Sequence, residues 1–141
     1  MTAKEYLSQY RILDARVDTR FERLLRLRAL AERCTATYGH RVGSGAAVDK
    51  RAELVAKIVD AESALNAQID DLLTLKDEIE FAIASVPDNR YRTLLEMRYL
   101  AGKRWEEIAE AMHYEERWIR RMHGWALLTI KSPEKPGLDV L

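Results

Sequence analysis

Apolar residues in the first two-thirds of the chain recur every three or four positions and do not alternate, which is the period of an α-helix. Between residues 3 and 36, Tyr6, Tyr10, Leu13, Val17, Leu24, Leu27, Ala31 and Cys34 keep a 4-3 spacing, broken by Arg20 at one core position with Phe21 beside it. The charges of DARVDTRFERLLRLR occupy the remaining faces, many of them four residues apart. After the glycine-bearing stretch TATYGHRVGSGAA the repeat resumes as Val55, Ile58, Glu62, Leu65, Ile69, Leu72, Lys76, Ile79 and Ile83. Two helices of similar length joined by such a loop predict an antiparallel, coiled-coil-like hairpin, each arm roughly 50 Å long at 1.5 Å per residue. Leu25, Val59, Leu73 and Leu75 widen the apolar face beyond a two-helix seam, so a third helix or a second copy of the chain is expected to cover them. Residues 1–86 are accordingly expected to fold as a unit and to form a homodimer through the hairpin. Arg20, Glu62 and Lys76 either fix the register or the oligomer order of the helices or lie exposed at the edge of the seam.

The pattern changes at SVPDNR. Pro87 disfavours helix at Val86, and Asp88 is a good N-cap for a helix starting near Asn89. Three shorter helical segments follow, RYRTLLEMRYLA (90–101), WEEIAEAMH (105–113) and EERWIRRMHGWALLTIK (115–131), before Pro133, Pro136 and Gly137 mark a flexible tail over 132–141. No alternating strand pattern occurs. The expected architecture is all-α: the hairpin over 1–86, a three-helix helix-turn-helix domain over 87–131, and the tail. A short helix, a tight turn and a longer basic helix form the helix-turn-helix pattern. Within it Ile108, Met112, Ile119 and Met122 supply the apolar contact between crossing helices, with the small Ala109 at their closest approach and Tyr114 as the plug of the turn. The outward face of the last helix then carries Arg117, Trp118, Arg120, Arg121 and Trp125.

Charge sharpens this picture. Among 141 residues, 23 Lys and Arg balance 23 Asp and Glu, which excludes a globally basic protein that coats nucleic acid and an acidic disordered one. Against that neutral background, residues 117–131 hold four cationic side chains and no acidic one. Arginines in that position suit phosphate contacts and bidentate hydrogen bonds to guanine edges.

The run RYRTLLEMRYLAGKRWEEIAEAMHYEERWIRRMHGWALLTI resembles the fourth conserved region of bacterial sigma factors, the helix-turn-helix that reads the −35 promoter element. The resemblance rests on the lead-in Met97, Arg98, Tyr99 and Gly102, on Glu107, Ile108 and Ala109 of the first helix, and on Ile119, Arg120, Met122, Ala126 and Leu127 of the second. With its MTAKEYL start and helical hairpin, the whole chain is similar to small sigma-like regulators of phages and prophages of Gram-positive bacteria. That resemblance implies a DNA-binding transcriptional regulator in the bacterial cytoplasm, with double-stranded DNA as partner and a place beside host RNA polymerase. Carried over by position, the DNA-facing residues are Glu116, Arg117, Trp118, Arg120, Arg121 and Trp125. The chain departs from the family at both N-caps, where Arg104 and Glu115 replace the usual hydroxyl residues at a cost of about 0.5–2 kcal/mol each, and at Trp118 and Trp125, where polar or basic residues are usual.

Other readings stand beside this one. Trp118 is open between partner contact and packing, and Trp125 reads as packing. Glu106, Glu107 and Glu110 form an acidic face, open between solvent and a polymerase contact. The competing function is a coiled-coil interaction or scaffold protein, or a phage DNA-packaging subunit, whose helix-turn-helix is not a promoter reader. Cys34 rules out an intramolecular disulfide and a multi-cysteine zinc site, and its core position reads as a buried inert thiol. His40, His113 and His123 have no partner at ligand spacing, and neither a glycine-rich phosphate loop nor a Ser/His/Asp order is present, so no metal, cofactor or catalysis is expected. No apolar run approaches the ~18 residues of a membrane helix, and the charged N-terminus does not direct export.

Overall fold

The computed structural model describes residues 1–38 and 45–131. They form α1 (Ala3–Tyr38), α2 (Gly45–Ala84), α3 (Asn89–Leu95), a π-helical turn (Glu96–Leu100), α4 (Trp105–Met112) and α5 (Glu116–Thr129), with no strand among the described residues. The protein is all-α, as the periodicity implied. The loop expected over 35–47 is shorter than that, because helix continues to Tyr38 and resumes at Gly45. Residues 39–44 and the tail expected over 132–141 lie outside the described residues.

Local chemistry explains where the helices begin. Thr2 and Glu5 form a capping box: the Glu5 carboxylate accepts from the Thr2 N–H at 2.9 Å, and the Thr2 hydroxyl accepts from the Glu5 N–H at 3.2 Å. Asp88 caps α3 by accepting from the Arg90 N–H at 2.8 Å, as its position after Pro87 suggested. The Arg90 side chain also bonds the Asp88 carboxyl and holds it below its ordinary range. Gly102 follows the π-helical turn with φ +68°, a left-handed conformation that a side chain would strain.

The chain divides into two compact units. The first is Ala15–Asp70, which takes in parts of both α1 and α2. Leu24 and Leu65 are its buried seam residues, and an ion pair between Arg28 of α1 and Glu62 of α2 crosses the seam edge. Glu62 thus sits at the edge, solvated, and not as a buried register key. Phe21, Leu25, Val55 and Val59 are exposed. Cys34, expected to be buried, is only half-buried.

The second unit joins Met1–Asp14 to Asp71 and the rest of the described chain. Its main cluster takes Tyr6, Leu7 and Leu13 from α1, Leu75, Ile79 and Ile83 from α2, Val86, and Leu95, Tyr99, Ala126 and Ile130 from the segments that follow. The boundary expected at residue 86 therefore falls inside one unit. The cause is visible at Leu75, which lies off the two-helix seam yet is 1% exposed, because the chain's own C-terminal helices join its cluster. Leu73, by contrast, stays exposed. Lys76 pairs with Glu80 one turn along the same helix, at 3.8 Å.

Candidate nucleic-acid interface

A second cluster holds the C-terminal helices in place. Leu94 of α3, Ile108 and Ala109 of α4, and Ile119 and Met122 of α5 are buried together, flanked by Tyr91, Met97, Trp105 and Met112. This is the crossing contact read from the sequence. The turn between α4 and α5 is made by His113, which takes the left-handed conformation (φ 60°, ψ 41°) at the end of α4. That position commonly carries glycine, and histidine is among the side chains that tolerate it. Tyr114 does not plug the turn. It is 36% exposed, and its side chain bonds that of Arg90.

Neither N-cap residue, Arg104 or Glu115, carries a hydroxyl, and only the first start is capped by a side chain. At α4 the Glu107 carboxylate accepts from the Arg104 N–H at 3.3 Å and from the Arg104 guanidinium at 3.3 Å. At α5 no side chain caps the helix, and Glu115 is exposed. Glu106 and Glu110 are exposed on α4 beside Glu107, leaving that helix with an acidic outer face.

On α5 the buried side chains are Ile119, Met122, His123 and Ala126. The 3.6-residue period places Arg117 and Arg121 on the opposite side and Trp118 and Trp125 on one flank, and all four are exposed. Arg117 and Arg121 have no ion-pair partner among the described residues. Trp118 and Trp125 pack edge to face with ring centroids 5.4 Å apart, while remaining 39% and 42% exposed. Trp125 therefore belongs to neither buried cluster, its position being turned off the row of Ile119, Met122 and Ala126 and its ring set against Trp118. Leu128 continues this apolar strip at 84% exposure.

Arg120 is held differently. Its guanidinium donates to the Glu116 carboxylate at 2.9 and 3.2 Å and lies 5.6 Å from the centre of the Trp105 ring. Glu116 is thereby neutralised and Arg120 is drawn towards the flank of α5. The six residues carried over by resemblance thus separate into an open set (Arg117, Trp118, Arg121, Trp125) and a closed pair (Glu116, Arg120).

Sequence reasoning missed the group beneath that pair. His123, weighed from the sequence only as a metal ligand, is 9% exposed and shares a 2.6 Å hydrogen bond between its Nε2 and the Tyr99 hydroxyl. The Trp105 ring meets it edge-on at 4.7 Å, and the Arg98 guanidinium covers Trp105 at 4.3 Å. The signal was present, since His123 lies on the same inward row as Ile119, Met122 and Ala126. Burial, helped by the positive charges of Lys4 and Arg98, lowers the His123 pKa from 6.5 to about 4. The folded protein therefore binds this proton less readily than the unfolded chain. Stability is fully present above about pH 6.5, falls as pH drops towards 4, and loses nothing more through this group below that. Urea midpoints measured between these pH values should show the decline, and His123→Gln, which keeps a hydrogen-bonding group but cannot titrate, should flatten it.

Among the described residues no three His, Cys, Asp or Glu side chains gather as a metal site, and no helix is long and apolar enough to cross a membrane. Comparison with known proteins finds no matching family model, no matching curated protein and no matching solved structure.

Proposed function

We propose that this protein is a sequence-specific, sigma-like transcriptional regulator, phage-encoded and acting in the cytoplasm of a bacterial host, that reads the DNA major groove with α5. It is a binding protein, not an enzyme. One observation carries the reading: α4, a left-handed turn at His113 and α5 form a helix-turn-helix in which α5 exposes two arginines, Arg117 and Arg121, without an ion-pair partner among the described residues, while its one acidic residue, Glu116, is paired with Arg120. A 14-residue helix is long enough to lie in the groove, and guanidinium groups one turn apart suit phosphates and guanine edges. The exposed Trp118 ring supplies apolar contact to thymine methyl groups. Arg120 contributes by fixing Glu116, which removes a carboxylate charge from the approach of DNA. The acidic outer face of α4 is the proposed contact with RNA polymerase. Binding to a random duplex across a salt series tests the proposal. Weak affinity that falls steeply with salt supports it, and the absence of any binding at low salt overturns it.

Self-association through the hairpin is part of the same proposal. In an antiparallel pair, Phe21 and Leu25 of α1 lie on the same flank as Val55 and Val59 of α2, and each is about half exposed. Such a row is suited to a second copy of the chain, and a dimer matches the two-fold half-sites that helix-turn-helix proteins read. Light scattering at tens of micromolar should report a dimer, and Leu25→Asp combined with Val59→Asp should convert it to a monomer with its helicity kept.

One observation favours the competing function, an interaction protein or packaging subunit. Trp118, Trp125 and Leu128 make an aromatic and apolar strip flanked by arginines, the composition of a protein-docking hot spot. If this is its role, the salt series shows no duplex binding, and Trp118→Ala abolishes capture of the partner.

A further inference from the structure

The Ala15–Asp70 unit carries a groove that the DNA-reading proposal does not use. Arg20 and Arg23 of α1 and Lys57 of α2 line an open cavity of about 460 Å³, and Asp60 is the one carboxylate among its lining residues. Arg20 stands at a seam position where the repeat calls for an apolar residue, and it is half-buried. None of the three cations has an ion-pair or hydrogen-bond partner among the described residues, although Arg28 in the same unit is paired with Glu62. Three like charges around a common hollow repel one another, and a partly desolvated guanidinium without a counter-ion is costly. An anion between them removes both penalties.

We propose that this groove is a binding site for a phosphorylated small molecule of nucleotide size. The lining carries a net charge of +2, which matches a doubly charged phosphate group, and two guanidinium forks one turn apart suit its oxygens. Leu27, Ala61 and Ala64 complete the groove with an apolar wall. The two alanines keep it open, and the volume falls within the range of about 300–1,000 Å³ typical of small-molecule sites. The phosphate anchors the ligand and the wall receives its uncharged body. The site stands on the hairpin alone and is independent of whether α5 reads DNA.

Calorimetric titration of the full chain with inorganic pyrophosphate, adenosine triphosphate and guanosine triphosphate tests this. The nucleotides should bind, and more tightly than pyrophosphate because of the apolar wall. Arg20→Gln and Lys57→Gln should each weaken binding about tenfold, the loss of one charge-assisted hydrogen bond. Asp60→Asn should strengthen it severalfold by removing the only repelling charge. Arg33→Gln, an exposed residue of α1 outside the groove, should change nothing. Circular dichroism confirms that each variant is folded, and the exposed Lys57 keeps the test valid if Arg20→Gln is not. No binding at millimolar ligand overturns the proposal, as does an equal loss in Arg33→Gln, which would mean diffuse attraction to a basic helix. Pyrophosphate binding as tightly as the nucleotides would overturn the nucleotide-sized ligand.

Discussion

A chain ended after Val86 is expected to lose the fold of residues 1–14 and 71–86. The seven residues Tyr6, Leu7, Leu13, Leu75, Ile79, Ile83 and Val86 are buried in the same cluster as Leu95, Tyr99, Ala126 and Ile130, so truncation exposes them to water. Full burial of one Leu, Ile or Val side chain contributes about 1.5–3 kcal/mol, and even partial exposure of several exceeds the margin by which a small domain is stable. A milder form of the experiment is Ile83→Ala in the intact chain, expected to cost about 2–5 kcal/mol because Ile83 is fully buried. Circular dichroism and urea titration of both proteins check this. A 1–86 fragment with full helicity and a cooperative transition like that of the intact chain would show that the hairpin ends need no cover.

The second large effect concerns the two open arginines. If α5 reads DNA, Arg117→Ala and Arg121→Ala should each reduce affinity, by about 1–3 kcal/mol where the side chain reads a base edge. Where it grips a phosphate, its loss should weaken all sequences alike and lower the salt slope by about one. Arg120→Ala should do less to DNA directly, since its guanidinium is occupied by Glu116 and Trp105. Its removal also frees the Glu116 carboxylate, so what it loses should be regained in an Arg120→Ala, Glu116→Gln double variant. Electrophoretic or fluorescence binding curves over a salt series distinguish these outcomes. A larger loss at Arg120 than at Arg121 that the double variant fails to restore would move the reading face to the flank of α5.

Much of this molecule is written locally. The Asp88 cap after Pro87, the inward row Ile119, Met122 and Ala126, and the breaks near residues 38, 86 and 102 depend on residues a few positions apart, and they are legible in the sequence. The Glu116–Arg120 pair is equally legible, since the two residues stand at i,i+4 spacing on one helix. The repeat marks Leu75 as surplus to a two-helix seam. Its cover could not be identified, because that depends on residues of the chain 20 to 55 positions further on, Leu95 and Ile130 among them. The opposite limit applies to Trp118 and Trp125. The helical period already set both on the outward side of the last helix, and only the register of α5 against α3 and α4 shows how far each ring stays exposed, 39% and 42%. For His123 the helical row indicated burial, but the Tyr99 partner lies 24 residues away in sequence.

The central claim is that the outer face of α5 meets duplex DNA, and the three tryptophans test it directly. Trp118 and Trp125 are exposed on that face, whereas Trp105 is half-buried between Arg98 and His123. Their indole N–H signals can be followed by nuclear magnetic resonance while a duplex is added to the full-length protein at low salt. The expected result is that the Trp118 and Trp125 signals move, the Trp105 signal shifts little, and added salt reverses the change. Signals of Trp118 and Trp125 that stay in place while the DNA binds, or that never respond because no DNA binds, would contradict it.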